Sequence, residues 1–158
     1  MKNILIILFT VFISGCILKK SNQPAGEIYK EDFKKVIDNY FSEYKPKSYN
    51  LIDKKDVTQY MSIDIDKKNM NISQFNKVKD KLKKDGWKLV DEHDGLYKFC
   101  LNEYQILSVL YPSQSKHYDS NGNLYKYDVY DNWALELNFN VYGIEYCMDG
   151  YYSRSLES

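Results

Sequence analysis

From Trp87 onward the apolar residues of this chain fall on every second position, and a period of two commits that half of the sequence to β-structure. The clearest run places Trp133, Leu135, Leu137, Phe139 and Val141 on one side and Ala134, Glu136, Asn138 and Asn140 on the other. Segments of the same kind cover Trp87–Val90, Leu96–Leu101, Tyr104–Leu110, Leu124–Tyr130, Trp133–Tyr142 and Ile144–Met148. Turn-forming residues separate most of them: Asp94-Gly95, Asn121-Gly122, Asp131-Asn132 and Gly143. Strands this closely spaced, joined by short turns, pair antiparallel.

Upstream the period lengthens. Phe33, Val36, Ile37, Tyr40 and Tyr44 recur at three- and four-residue steps, which predicts an amphipathic helix over Glu31–Tyr44. Lys45-Pro46 ends it, because the residue before a proline is pushed out of the helical region. Residues 47–70 carry a weaker pattern, in which Val57, Gln59, Met61, Ile63 and Ile65 alternate with polar neighbours as in a strand with one buried face. A second helix starts at Asn71. Asn71 is placed as N-cap, Gln74 as its capping-box partner and Met70 as a staple onto Phe75. Ile72, Phe75, Val78 and Leu82 form its apolar stripe, and Gly86 fits the left-handed C-terminal position. The expected fold is therefore α+β: an antiparallel meander of five to six strands, with two amphipathic helices on one face and the other face partly solvated. Residues 29–158 make a single domain by length.

Balanced charge, Lys+Arg 22 against Asp+Glu 22, with no basic stripe, argues against a nucleic-acid partner. Lysine supplies nearly all the cations, and the 16 tyrosines are accounted for by strand-building. The histidines number only two, His93 and His117, and neither sits in a catalytic or metal-binding motif. Asp91-Glu92-His93-Asp94 puts four possible metal ligands into one turn, but consecutive residues seldom converge on one ion, and Asp94-Gly95 reads more simply as a solvated hairpin tip. Asp64-Ile65-Asp66 lacks the glycine and closing glutamate of a calcium loop. No metal or other cofactor is expected. The polar stretch Pro112–Asn123 is the longest loop and the candidate mobile segment.

The amino terminus carries an address. A short cationic start at Met1-Lys2-Asn3 leads into an apolar run from Ile4 to Ile13, too brief to span a hydrocarbon core, which takes roughly 20 residues. Ile13-Ser14-Gly15-Cys16 resembles the lipobox of bacterial lipoproteins, and the resemblance covers the leader alone. It implies that residues 1–15 are a signal peptide removed on export, and that Cys16 carries acyl chains that anchor the chain in a membrane. Residues 16–28 would then form the lipidated cysteine and a flexible tether. Ile17, in place of an aspartate after the cysteine, implies the outer membrane facing the periplasm where the host has one. An ordinary secretory leader with a chance cysteine is the alternative.

An exported domain with two cysteines left over, Cys100 and Cys147, suggests a disulfide; two buried free thiols are the alternative. Cys100 as a nucleophile with either histidine as base is the weaker reading, since an exported thiol with a partner is oxidised. The expected function is a non-catalytic binding module at the membrane, with a protein partner, of which an inhibitor or immunity-type protein is a concrete version. The alternatives are a structural envelope lipoprotein, or a small anchored enzyme using carboxylates such as Asp91, Asp94 or Glu136.

Overall fold

The computed structural model describes residues 28–148. The leader, the tether and Cys16 lie outside the described residues, as do 149–158. Eight strands and two helices follow one another as α1 (Phe33–Tyr40), β1 (Lys47–Lys54), β2 (Thr58–Asp66), α2 (Ile72–Lys84), β3 (Lys88–His93), β4 (Leu96–Asn102), β5 (Gln105–Leu110), β6 (Lys116–Tyr118), β7 (Leu124–Lys126) and β8 (Asn132–Asn140). The fold is α+β, with six strands in one antiparallel sheet and β6 and β7 forming a separate hairpin.

The sheet order is β1-β2-β8-β5-β4-β3, which is not the meander that sequence adjacency suggests. The last strand of the sheet pairs with β2 on one side and β5 on the other, for example Ile63↔Leu135 and Val109↔Leu135. Trp133, Leu135, Leu137 and Phe139 are all at most 3% exposed, and a strand with a fully apolar face gains most when neighbours flank it on both sides. Both edge strands carry irregularities, at Asn50/Ile52 in β1 and at Leu89/Asp91 in β3. Such bulges keep exposed edges from pairing indiscriminately.

Ile63, Ile65, Phe99, Leu107, Val109 and the β8 apolar row form the floor of the core. Phe75 of α2 seats on it, with its ring centroid 4.8 Å from those of both Tyr97 and Trp133. Trp133 also donates from Nε1 to the Met70 carbonyl at 2.7 Å, so the loop entering α2 is tied to the sheet's central strand. The capping box is present: Gln74 N–H donates to the Asn71 side chain at 2.9 Å, and Asn71 N–H to Gln74 Oε1 at 2.8 Å. At the far end Gly86 adopts φ +98° and Trp87 N–H reaches back to the Leu82 carbonyl at 3.0 Å, closing the helix.

α1 is shorter than the periodicity of Glu31–Tyr44 suggests. Asp32 caps it, Phe33, Val36, Ile37 and Tyr40 are buried in the same core, and the helix stops at Phe41. A 3-10 turn, Ser42–Tyr44, and a left-handed Lys45 then swing Tyr44 inward, so that its burial comes from the turn and not from another helical step. One weakly patterned segment takes form as a strand, and two other expectations are corrected. Residues 47–54, which alternate too weakly to be read, form edge strand β1, exposed along its whole length. The run Leu124–Tyr130 holds only β7, three residues long. Ile144–Met148 is not a strand: Glu145–Cys147 forms a 3-10 turn folded back onto the sheet.

Candidate functional site

The sheet face away from the helices gathers most of the polar side chains whose types invite a chemical reading. In β4, Leu96, Lys98 and Cys100 point to this face while Tyr97 and Phe99 enter the helix-side core. Lys98 is 2% exposed. A buried ammonium requires compensation, and three segments supply it. Lys98 Nζ lies 2.8 Å from Asp119 Oδ2 in the β6–β7 loop, donates to the Tyr125 hydroxyl at 2.9 Å, and stands 3.8 Å from Asp91 Oδ2 of β3. The Tyr146 ring covers it, with its centroid 3.2 Å from Nζ.

Asp119 is the hub of this cluster. Its Oδ1 accepts from the backbone N–H groups of Asn121 and Asn123 at 3.0 and 2.8 Å, and its Oδ2 accepts from the Asn123 side chain and the Tyr146 hydroxyl. Burial opposes ionisation of Asp119, but the hydrogen bonds from Lys98, Tyr146 and Asn123 outweigh it and hold the carboxyl well below the usual carboxylate range. Burial, followed by the hydrogen bonds to Asp119 and Tyr125, pushes the Tyr146 phenol far above its ordinary value. The charged centre of the cluster, Lys98, Asp91 and Asp119, is buried, with half-buried Tyr125 and Tyr146 over it. Its role is to clamp β6–β7 and the 145–147 turn onto the sheet.

The cysteine pair belongs to the same clamp. Cys100 stands two residues along β4 from Lys98, Cys147 follows Tyr146, and their Sγ atoms lie 1.98 Å apart with Cα atoms 5.6 Å apart. A disulfide at Cys100 and Cys147, expected from the leftover cysteine pair, is consistent with this geometry.

His117 fastens the other end of the hairpin. It is fully buried, its Nδ1 lies 2.7 Å from the Asp94 carbonyl, and its Nε2 accepts from the backbone N–H groups of Ser113 and Gln114 at 3.2 and 3.4 Å. Asp94 meanwhile accepts from Tyr118 N–H at 3.0 Å. The Asp94-Gly95 turn is present, with φ +47° and +78°, but its surroundings differ from a solvated tip: residues 113–118 cap it, and Asp91 is only 5% exposed. The polar stretch Pro112–Asn123 is likewise anchored, since it supplies both His117 and Asp119.

The carboxylates singled out by the sequence occupy separate settings. Asp91 pairs with Lys98, and its Oδ1 is buried without a hydrogen-bond partner. Asp94 joins His117, Glu92 bridges to Lys79 at 2.9 Å, and His93 ends β3 opposite Leu96. Asp66 shapes the turn after β2 by accepting from Lys68 N–H. Among the described residues no group of three or more histidine, cysteine or acidic side chains is arranged to hold a metal, and no helix is long and apolar enough to cross a membrane.

Glu136 is exposed on the same sheet face, beside a half-open cleft of about 90 Å³ between the sheet and β7. Leu96, Leu110, Ala134 and Ser108 floor the cleft, and Tyr125, Tyr127, Lys126 and Glu136 make its rim. Burial raises the Tyr60 and Tyr127 phenols, which also lie against carboxylates: Tyr60 against Glu136, and Tyr127 against Asp64 and, less closely, Glu136. A second open feature is β1. Among the described residues its outer side pairs with no strand, and Tyr49, Leu51 and Ile52 are each at least 44% exposed.

Reading by motif passed over Lys98, Asp119, Tyr125 and Tyr146. The available signal was Lys98 itself, a lysine in step with Leu96 and Cys100 inside an apolar strand. Comparison of the chain with family models, curated proteins and solved structures returned no match, so its function is argued from its own residues.

Proposed function

We propose that this chain is a lipid-anchored envelope protein that binds a protein partner and carries out no catalysis. The observation that carries the binding half is strand β1. It is an edge strand of 8 residues, exposed throughout, with Tyr49, Leu51 and Ile52 turned to solvent and one row of backbone groups left outside the sheet. An edge of this kind accepts an added strand from another polypeptide through main-chain hydrogen bonds, while side chains on either side set the choice of partner. The irregularity at Leu51 and the flanking Lys47 and Lys54 disfavour flat, indiscriminate pairing, which restricts the edge to a partner whose register fits.

The anchoring half is supported by Ile13-Ser14-Gly15-Cys16, and the Cys100–Cys147 geometry suits an oxidising compartment outside the cytoplasm. On this reading acyl chains on Cys16 hold the domain at the membrane, in a diderm host at the periplasmic face of the outer membrane. The buried Lys98 cluster serves stability, which leaves exposed surfaces to do the recognition.

Two measurements test the proposal. Native chain should fractionate with membranes and incorporate a labelled fatty acid, and Cys16→Ala should do neither. A photo-crosslinking residue at Tyr49 or Leu51 should capture one discrete partner in the native envelope, while the same residue at Lys77, exposed on α2, should not. Acylation without Cys16, or equal capture from Lys77, would sink it.

A further inference from the structure

The cleft beneath β7 has the size of a side chain and the chemistry of a cation site. Its volume of about 90 Å³ falls far short of the roughly 300 Å³ at which small-molecule pockets begin. Leu96, Leu110 and Ala134 give it an apolar floor, and tyrosine rings stand along its rim. Its lining carries one carboxylate, Glu136, and one ammonium, Lys126, which do not pair: among the described residues neither Glu136 nor Asp64 has a lysine, arginine or histidine within ion-pair distance. The two lie on the same sheet face, because Asp64 pairs with Ala134 while Glu136 pairs with Ser62.

We infer that this cleft receives a lysine or arginine side chain of the protein partner. The stem lies along Leu96, Leu110 and Ala134, and the cationic head sits between Glu136 and the Tyr127 ring, with Asp64 behind. An acidic or neutral polar side chain would lose its hydration against the same floor with no opposite charge to meet. Among the described residues Lys126 is the one opposing charge on the rim. It pairs with Lys116 on the exposed side of the hairpin, whereas Tyr125 pairs with buried His117 on the side facing the sheet. Lys126 therefore weakens the attraction without closing the cleft. The assignment rests on the binding-module reading, and it adds the chemistry of the group the partner must present.

The test is an NMR titration of the purified full chain with N-acetyl-lysine amide and N-acetyl-arginine amide, against N-acetyl-norleucine amide as the uncharged counterpart of the same length. The cationic amides should shift the backbone signals of Ser108, Tyr127 and Glu136, and bind more tightly than the norleucine compound. Glu136→Gln should weaken cation binding about threefold to fivefold, the worth of one exposed ion pair, and Lys126→Ala should strengthen it. Both positions are exposed, so circular dichroism should show each variant folded. No binding, equal binding of norleucine amide, shifts elsewhere, or no response to Glu136→Gln would each overturn the assignment. Such a failure alongside discrete crosslinks from β1 would remove the cation site and leave the binding-module reading standing.

Discussion

Lys98 Nζ lies 2.8 Å from Asp119 Oδ2, and neither side chain is more than 2% exposed. Among the described residues the hairpin pairs with no strand of the sheet, and the ion pair joins the two, backed by Asp91, Tyr125 and Tyr146. Removing one member of a buried pair strands the other charge, which is far costlier than the net worth of the pair.

Asp119→Asn keeps an oxygen for the backbone donors of Asn121 and Asn123 but removes the charge. It should lower stability in urea unfolding by about 3 kcal/mol. Lys98→Met, which leaves Asp91 and Asp119 facing each other without a cation, should lose at least as much. The double variant should lose less than the sum of the two, because the charges that each single variant strands are fewer in the pair. Additive losses would show that the two residues act independently.

The lowered pKa of Asp119 fixes a pH dependence. Its pKa is lowered in the folded chain, so the unfolded chain binds the proton more readily. The stabilisation is therefore complete above the unfolded value of about 3.9 and is lost as pH falls below it towards the folded value. Urea midpoints at successive pH values should fall more steeply for the native chain than for Asp119→Asn in this acid range. Parallel curves would contradict the assignment.

Reduction of Cys100–Cys147 should unfasten the 145–147 turn and, with it, the Tyr146 ring over Lys98. The sequence separation of 47 residues corresponds to about 4 kcal/mol in the chain-entropy account of cross-links. A reducing agent should lower the urea midpoint of the native chain and leave a Cys100→Ser/Cys147→Ser variant unchanged.

The cap of α2 offers a local check. Asn71→Ala should cost about 1 kcal/mol, while Asn71→Gly should cost only a few tenths, since glycine is tolerated at that position. Thermal unfolding followed by far-UV circular dichroism would rank them.

Local signals were legible wherever one residue type had one physical use. Asn71 with Gln74, Gly86, and Asp94-Gly95 each announced their geometry because caps and tight turns depend on a few neighbouring atoms. The alternating row from Trp133 to Phe139 announced a buried strand for the same reason. Strand order was not legible, because alternation states which face is apolar and says nothing of which neighbour covers the edge; β8 is flanked by β2 and β5 through contacts far apart in sequence. The short β7 and the 145–147 turn were misread as longer strands because tyrosines that pack on a sheet from above look, in sequence, like tyrosines within it. Asp119 was hidden in a polar loop for a related cause: its burial depends on Lys98, on another strand. Glu136 was named on its own, whereas its cleft depends on β7 crossing above it.

The placement of β8 between β2 and β5 also orders events during synthesis. The β1–β2 hairpin and the β3–β4–β5 strands can each pair with near neighbours in sequence, but the two halves of the sheet are joined only when β8, the last of the described strands, is made. Closure across so long a stretch of chain is slow. The sheet therefore stays in two pieces until its final strand is complete.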